Sequence, residues 1–197
     1  MYRFFGKRLI GILLSVCGLL VCGLPMLVIA ILIKLDSEGP ALFKQERLGK
    51  NQKVFTIYKF RTMCNHAYEM GGVATRSDDY RITKVGAVLR RTSLDELPQM
   101  LNIIMGDMAI IGPRPILPVE FADYKDNKRF CRRYDALPGM FCTVDIEYRS
   151  SSDRVLQFNM DADYVDNMSL LLDIKTFFSV IAPVVSGKNV YREEVNK

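Results

Sequence analysis

Residues 9–33 read LIGILLSVCGLLVCGLPMLVIAILI, 25 consecutive positions without a charge. Wound as one helix, this run would reach about 37 Å, enough to cross a hydrocarbon core of about 30 Å. It meets Lys34 without a small-residue A-x-A stop, so it reads as a retained membrane segment rather than a cleaved signal. Pro25 lies inside the run beside Gly23, where the missing backbone donor predicts a bend. Basic residues flank both ends: Arg3, Lys7 and Arg8 before, Lys34, Lys44 and Arg47 after. The positive-inside bias therefore selects no orientation. A helix that spans and a bent helix that enters and leaves on one face both satisfy these residues.

The remaining residues, from Lys34 onward, are mixed in character. Across the chain 49% of residues are apolar and 25% charged, with a net charge of +5. A chain of 197 residues accommodates one domain with an attached element. The expected division is a membrane anchor over 1–34 and a cytosolic catalytic domain over 35–197. Basic residues cluster at 44–61, 81–91 and 125–133, which suits phosphates, anionic lipid or nucleic acid. No recognised nucleic-acid motif accompanies them, so nucleic acid is not an expected partner. Five cysteines without a C-x-x-C pair and a single histidine, His66, argue against a zinc site or a disulfide framework.

After the Gly39-Pro40 break, Ala41–Gln45 and Val54–Phe60 read as a β-hairpin around Gly49-Lys50-Asn51. Alternation in the second arm places Phe55, Ile57, Lys59 and Arg61 on one face, so two cations are expected together at its end. Val85–Arg91 reads as a short helix and Ser93–Met105 as a second, with Leu97, Met100, Leu101, Ile104 and Met105 at helical spacing and Gly106 as its stop. Ser169–Val185 is apolar, but its uncharged portion, Thr176–Val185, is too short to span a membrane. A helix lying in the membrane interface is the favoured reading of that segment, with a core helix as its competitor. The fold class is α+β, mainly helical, with a small β-hairpin and interfacial amphipathic helices around a compact domain.

The chemistry concentrates at Ser93-Leu94-Asp95-Glu96. This S-x-x-E pattern is a capping box, although Pro98 would also let the helix begin near Asp95. In both cases two carboxylates sit at a helix N-terminus, where the backbone favours their ionised form. Ionised carboxylates can attack phosphorus or hold Mg²⁺. Arg90 and Arg91 precede the pair, and Gly112-Pro113-Arg114-Pro115 follows it, with prolines fixing the backbone on both sides of a guanidinium suited to phosphate oxygens.

These stretches also carry a resemblance. Lys7-Arg8, Leu35-Asp36-Ser37 with Gly39-Pro40, Phe55 through Met63, Ser93 through Gln99, and Gly106-Asp107-Met108 through Gly112-Pro113-Arg114-Pro115 together resemble the bacterial sugar transferases, the monotopic phosphoglycosyl transferases, over nearly the whole chain. The length resembles the minimal form of that family. The resemblance implies transfer of a phospho-sugar from a UDP-sugar to polyprenyl phosphate at the cytoplasmic face of the bacterial inner membrane, initiating a surface glycan. It implies Asp95 as the covalent nucleophile, Glu96 as its partner and, with Asp95, a Mg²⁺ ligand. Lys59, Arg90 and Arg114 would then balance phosphate charge, with Asp161 a further site acid and Arg149 a further binding residue. It also implies a re-entrant first segment bent at Pro25. The expected partners are thus UDP-sugar, polyprenyl phosphate and membrane lipid, with homodimerisation left open.

The chain departs from the family pattern at three places. Gly11 stands where an aspartate is frequent, and Leu24 where a serine is common before Pro25. Over Pro138–Arg149 the usual P-G-I-T-G, Q-V and G-R sequence is replaced, leaving Pro138, Gly139 and Arg149. Altered donor preference is the expected consequence. The competing reading is a catalytically degenerate member acting as a membrane adaptor, in which Ser93–Glu96 is merely a cap.

Overall fold

The computed structural model describes residues 2–71, 79–146 and 153–186. In chain order its elements are helix α1 (Lys7–Asp36), strands β1 (Leu42–Leu48) and β2 (Val54–Phe60), and helices α2 (Ala67–Gly71), α3 (Lys84–Thr92) and α4 (Gln99–Met105). Strand β3 (Ala109–Ile111), helices α5 (Pro118–Phe121) and α6 (Lys128–Cys131), strand β4 (Gly139–Phe141) and helices α7 (Arg154–Asn167) and α8 (Leu170–Ser186) follow. Helices dominate and the sheets are small, in agreement with the α+β expectation.

The apolar run forms the single 30-residue helix α1, with Pro25 inside it. One strip of α1 meets the rest of the protein. Gly11, Ser15 and Ile33 are buried, and Gly18 faces the sulfur of Met100. Met26, Ile29, Ala30 and Ile33 pack with Phe60, Leu89 and Leu97. Steps of three and four residues keep these positions on one side of the helix. Leu13, Leu20, Val21, Leu24 and Leu27, on the other sides, stay exposed. By length and composition α1 is able to cross a membrane, and its apolar window is almost uncovered by protein.

Both ends of α1 are docked on the same body. At the N-terminal end the Arg8 guanidinium donates to the carbonyls of Ile103 and Ile104, the latter at 2.8 Å, satisfying the last turn of α4. Lys7 and the Tyr2 hydroxyl both bond to Asp173 of α8, whose other oxygen accepts from Tyr164 at 2.5 Å. At the C-terminal end, the buried Arg61 donates to the carbonyls of Ser37, at 2.7 Å, and Glu38. The carboxylate of Asp36 accepts the Val85 amide at 2.9 Å and so receives the start of α3. Arg61 is consequently a structural cation rather than a companion of Lys59, contrary to the strand-alternation reading.

Strands β1 and β2 form the expected antiparallel hairpin, with Leu42 opposite Phe60 and Leu48 opposite Val54. Asn51 and Gln52 adopt positive φ in its turn. Among the described residues the outer edge of β2 has no neighbouring strand. There the fully buried Asn102 of α4 accepts the Tyr58 amide at 3.0 Å and donates to the Thr56 carbonyl at 2.7 Å. One carboxamide thus replaces a strand and fixes α4 against the hairpin. Gly106 ends α4 at φ 103°, as the sequence indicates, and its amide closes on the Asn102 carbonyl.

The single long helix expected over Ser93–Met105 is divided. Ser93 takes a left-handed conformation at the end of α3, Leu94–Glu96 form one tight turn, and α4 begins only after Pro98. Ser93 makes no side-chain capping bond at this turn, so the capping box is not formed. Proline is tolerated here because it precedes the regular ladder.

A parallel pair not apparent in the sequence, β3 with β4, sets Ala109 beside Gly139 and Ile111 beside Phe141. It brings the 112–115 turn against the 138–145 segment. Behind it, Phe121, Tyr124, Phe130, Tyr134 and Phe158 pack edge to face. The buried Arg133 lies over the Phe158 ring and pairs with the fully buried Asp161 at 2.7 Å. Burial pushes the Asp161 carboxyl up to about 6, against the opposing pull of Arg133 and of the Arg114 amide. Helix α8 buries Asp173, Thr176 and Val180, while Leu171, Ile174 and Phe178 are exposed. It is a two-faced helix, a pattern that the interfacial reading and the core-helix reading share.

Replacing Asn102 with Leu should leave the partly buried Tyr58 amide and Thr56 carbonyl unpaired and cost about 2–4 kcal/mol. Thermal unfolding in lipid nanodiscs should then fall by about 5–10 °C. For Asp161 the folded-state pKa exceeds the unfolded one, so its contribution to stability is present below about pH 4 and lost as pH rises through about 6. The margin in unfolding temperature of the native protein over Asp161→Asn should accordingly shrink between pH 4.5 and 7.5; a margin that widens would contradict this titration.

Candidate active site

The tight turn at 94–96 occupies the seam between the hairpin, α3 and α1. Its position follows from its neighbours: Leu97 packs into the cluster that holds the end of α1, and Pro98, Gln99 and Met100 are buried behind it. Asp95 and Glu96 are therefore fixed at the start of a buried segment while remaining partly exposed themselves.

Glu96 meets Lys59 from β2, with Nζ donating to Oε1 at 2.9 Å. The inward face of β2 thus contributes one of its two expected cations to the carboxylate pair. Arg90, on the last turn of α3, donates through Nε to the Thr62 hydroxyl at 2.8 Å, which ties α3 to the end of the hairpin. This junction needs Gly86, because a Cβ there would lie 2.0 Å from the Thr62 carbonyl oxygen.

Arg114 stands on the proline-flanked turn that follows β3. Its amide donates to Asp161 at 3.2 Å, and its carbonyl accepts from Arg133. The buried Arg133–Asp161 pair therefore holds this backbone from both sides. Asp161 acts beneath the site through the Arg114 main chain. The Arg114 guanidinium pairs with Asp145 at 2.6 Å, and its pKa is raised first by that carboxylate and further by Glu96 and Asp161. Glu96 is near enough to add to the field at Arg114.

Lys59, Glu96, Arg114 and Asp161 are thus joined by direct contact or by charge, with Asp95 adjacent and Arg90 at the neighbouring junction. Arg149 lies outside the described residues. Sequence reasoning missed Asp145, Arg133 and Asp173. Asp145 lies in the stretch that departs from the family pattern, and its carboxylate is the signal that could have identified it as a partner for a nearby cation.

Ionised carboxylates beside lysine and arginine suit chemistry on a phosphate ester or anhydride: one oxygen attacks phosphorus while the cations hold phosphate oxygens. Among the described residues no three His, Cys, Asp or Glu side chains gather into a metal cage. An adjacent carboxylate pair nevertheless suits Mg²⁺, which commonly takes one or two protein carboxylates and completes its shell with substrate phosphate and water.

Comparison with known proteins gives a concordant result. The family model for bacterial sugar transferase matches residues 2–187. The chain is 38% identical over 198 residues to the exopolysaccharide production protein PSS of Rhizobium leguminosarum bv. phaseoli, covering 92% of this chain and 96% of the relative. It is 36% identical to the UDP-N-acetylgalactosamine-undecaprenyl-phosphate N-acetylgalactosaminephosphotransferase of Aeromonas hydrophila, over 93% of this chain but 44% of that protein. It is 38% identical to the UDP-glucose:undecaprenyl-phosphate glucose-1-phosphate transferase of Caulobacter vibrioides, over 85% of this chain and 65% of the relative. The chain therefore spans nearly all of a short relative and from under half to about two thirds of longer ones. With the motifs, the matched span and these identities in agreement, the chain belongs to the bacterial sugar transferase family.

Proposed function

We propose that this protein is a polyprenyl-phosphate sugar-1-phosphate transferase, taking its donor as a UDP-sugar and working at the cytoplasmic face of the bacterial inner membrane. The observation that carries the reading is the Asp95–Glu96 turn itself, in which Glu96 pairs with Lys59 at 2.9 Å, lies within electrostatic reach of Arg114 and adjoins Leu97, which packs against α1. A charged site beside the apolar helix can meet a water-soluble nucleotide sugar and a lipid phosphate together. Relatives named for transfer to undecaprenyl phosphate support the acceptor class.

In this mechanism a carboxylate oxygen of Asp95 attacks the sugar-bearing phosphorus. The phosphoanhydride bond to the nucleotide breaks, UMP leaves, and an aspartyl phospho-sugar remains. A phosphate oxygen of the polyprenyl phosphate then attacks the same phosphorus, breaking the bond to Asp95 and releasing the polyprenyl diphosphate sugar. Glu96, oriented by Lys59, stays beside the nucleophile. Lys59, Arg90 and Arg114 offset phosphate charge, and Asp161 fixes the Arg114 backbone. Asp95 and Glu96 would hold Mg²⁺, which supplies neutralisation of the diphosphate when bound.

The re-entrant placement of α1 over an anchor comprising 1–34, with the catalytic domain over 35–197, belongs to the same proposal. Its support is that Arg8 and Arg61, at opposite ends of the apolar helix, both bond within one charged body. A helix crossing the membrane would separate those ends by the full bilayer.

Asp95→Asn should lower UMP release from UDP-sugars, assayed with polyprenyl phosphate and Mg²⁺, by about 10⁴-fold or more. Its membrane association should be unchanged; undiminished turnover would remove the nucleophile assignment and favour the adaptor reading. For topology, single cysteines at Phe5 and at Glu38, in a background with the native cysteines replaced, should both react with an impermeant thiol reagent only from the cytoplasmic side. Labelling from opposite sides would establish a spanning helix.

A further inference from the structure

The Arg114 guanidinium has a partner of its own charge complement before any substrate arrives. Asp145 Oδ1 accepts from its Nη1 at 2.6 Å, and the Asp145 side chain is only 7% exposed. The second oxygen, Oδ2, accepts the Cys142 amide at 3.1 Å, so the carboxylate is anchored to the loop after β4 rather than free to swing away. The Arg114 side chain is 34% exposed, so the residue is not sealed within the core as Asp145 is. Its backbone is fixed independently through the Arg133–Asp161 pair. Position and charge are therefore separable: the main chain holds Arg114 in place, and Asp145 sets how much of its positive charge remains for an incoming anion.

From this geometry we infer that Asp145 tunes donor affinity by weakening the grip of Arg114 on donor phosphate. The inference rests on reading Arg114 as a phosphate-binding cation. A diphosphate entering the site must share the guanidinium with a carboxylate already in contact, in a partly buried setting where that competition is poorly screened by salt. Weaker retention also suits a two-step transfer, in which the departing nucleotide must clear the site before the lipid phosphate reaches the same phosphorus. Asparagine at 145 keeps an acceptor oxygen for Arg114 or the Cys142 amide while removing the competing charge.

The test is equilibrium binding of UDP, with Mg²⁺, to the full chain in lipid nanodiscs. Asp145→Asn should bind UDP about fivefold more tightly than the native protein. Arg114→Met should bind more weakly, and the double variant should show no gain from the asparagine. Asp145→Glu, which retains the charge, should stay within twofold of native affinity. In steady-state assays Asp145→Asn should lower KM for the donor without raising kcat, and UMP should inhibit it more strongly, as expected for binding strengthened equally in ground and transition states. Should Asp145→Asn fail to fold, Asp145→Ser, which still offers the Cys142 amide an acceptor, takes its place with the same expectation. Unchanged or weaker UDP affinity in a folded charge-removed variant, or a gain that persists without Arg114, overturns the inference. Because UDP binding is read without turnover, absence of UMP release by the native protein alongside an intact binding effect would count against the transferase reading alone.

Discussion

The structure depends on what happens to the exposed carbonyls at the ends of its helices. The last turn of a helix leaves carbonyl groups without internal partners. Here arginines supply the partners across the chain. Arg8, at the beginning of the apolar helix, satisfies the end of α4, and Arg61, at the end of the hairpin, satisfies the exit from α1. These two sets of bonds join the same elements from opposite directions. They fix the hairpin, α3 and α4 against one strip of α1, and the Asp95–Glu96 turn is carried into position between them.

A second set of contacts acts on the other half of the site. The Arg133–Asp161 pair has no place on the surface and hydrogen-bonds to the 112–115 turn through the Arg114 backbone. Burial of such a pair contributes little net stability by itself, because desolvation opposes the attraction of the charges. Its evident use is directional. The proline-flanked turn cannot draw on the Pro113 or Pro115 nitrogens for hydrogen bonds, and the buried pair supplies what those positions lack.

Much of this was legible in the residues. The apolar run, the hairpin and the stop at Gly106 follow from hydropathy, alternation and turn chemistry, which are local. The division of Ser93–Met105 was not legible, because Ser93 adopts its left-handed geometry to end α3, and Ser-x-x-Glu reads equally well as a cap. The fate of Arg61 was missed for a related reason: strand alternation describes the direction of a side chain but ends with the strand at Phe60. The parallel β3–β4 pair is three residues long on each side, too short to leave a periodic signal, and it is stabilised by contacts distant in sequence. Asp145, Arg133 and Asp173 became visible only when that pairing and the α8 docking placed them beside cations or carboxylates from other elements.

The Asn102 carboxamide has a consequence outside the site. It occupies the backbone groups on the free edge of β2, and the Leu48 amide on the other strand is taken by the Ile116 carbonyl at 2.9 Å. A two-stranded sheet ordinarily offers two edges on which another chain can build. With each edge occupied at one place by a group from its own chain, the hairpin is protected against recruiting strands from neighbouring copies. Under the proposed membrane-bound reading, in which the apolar helix would concentrate copies on one surface, that protection would matter most.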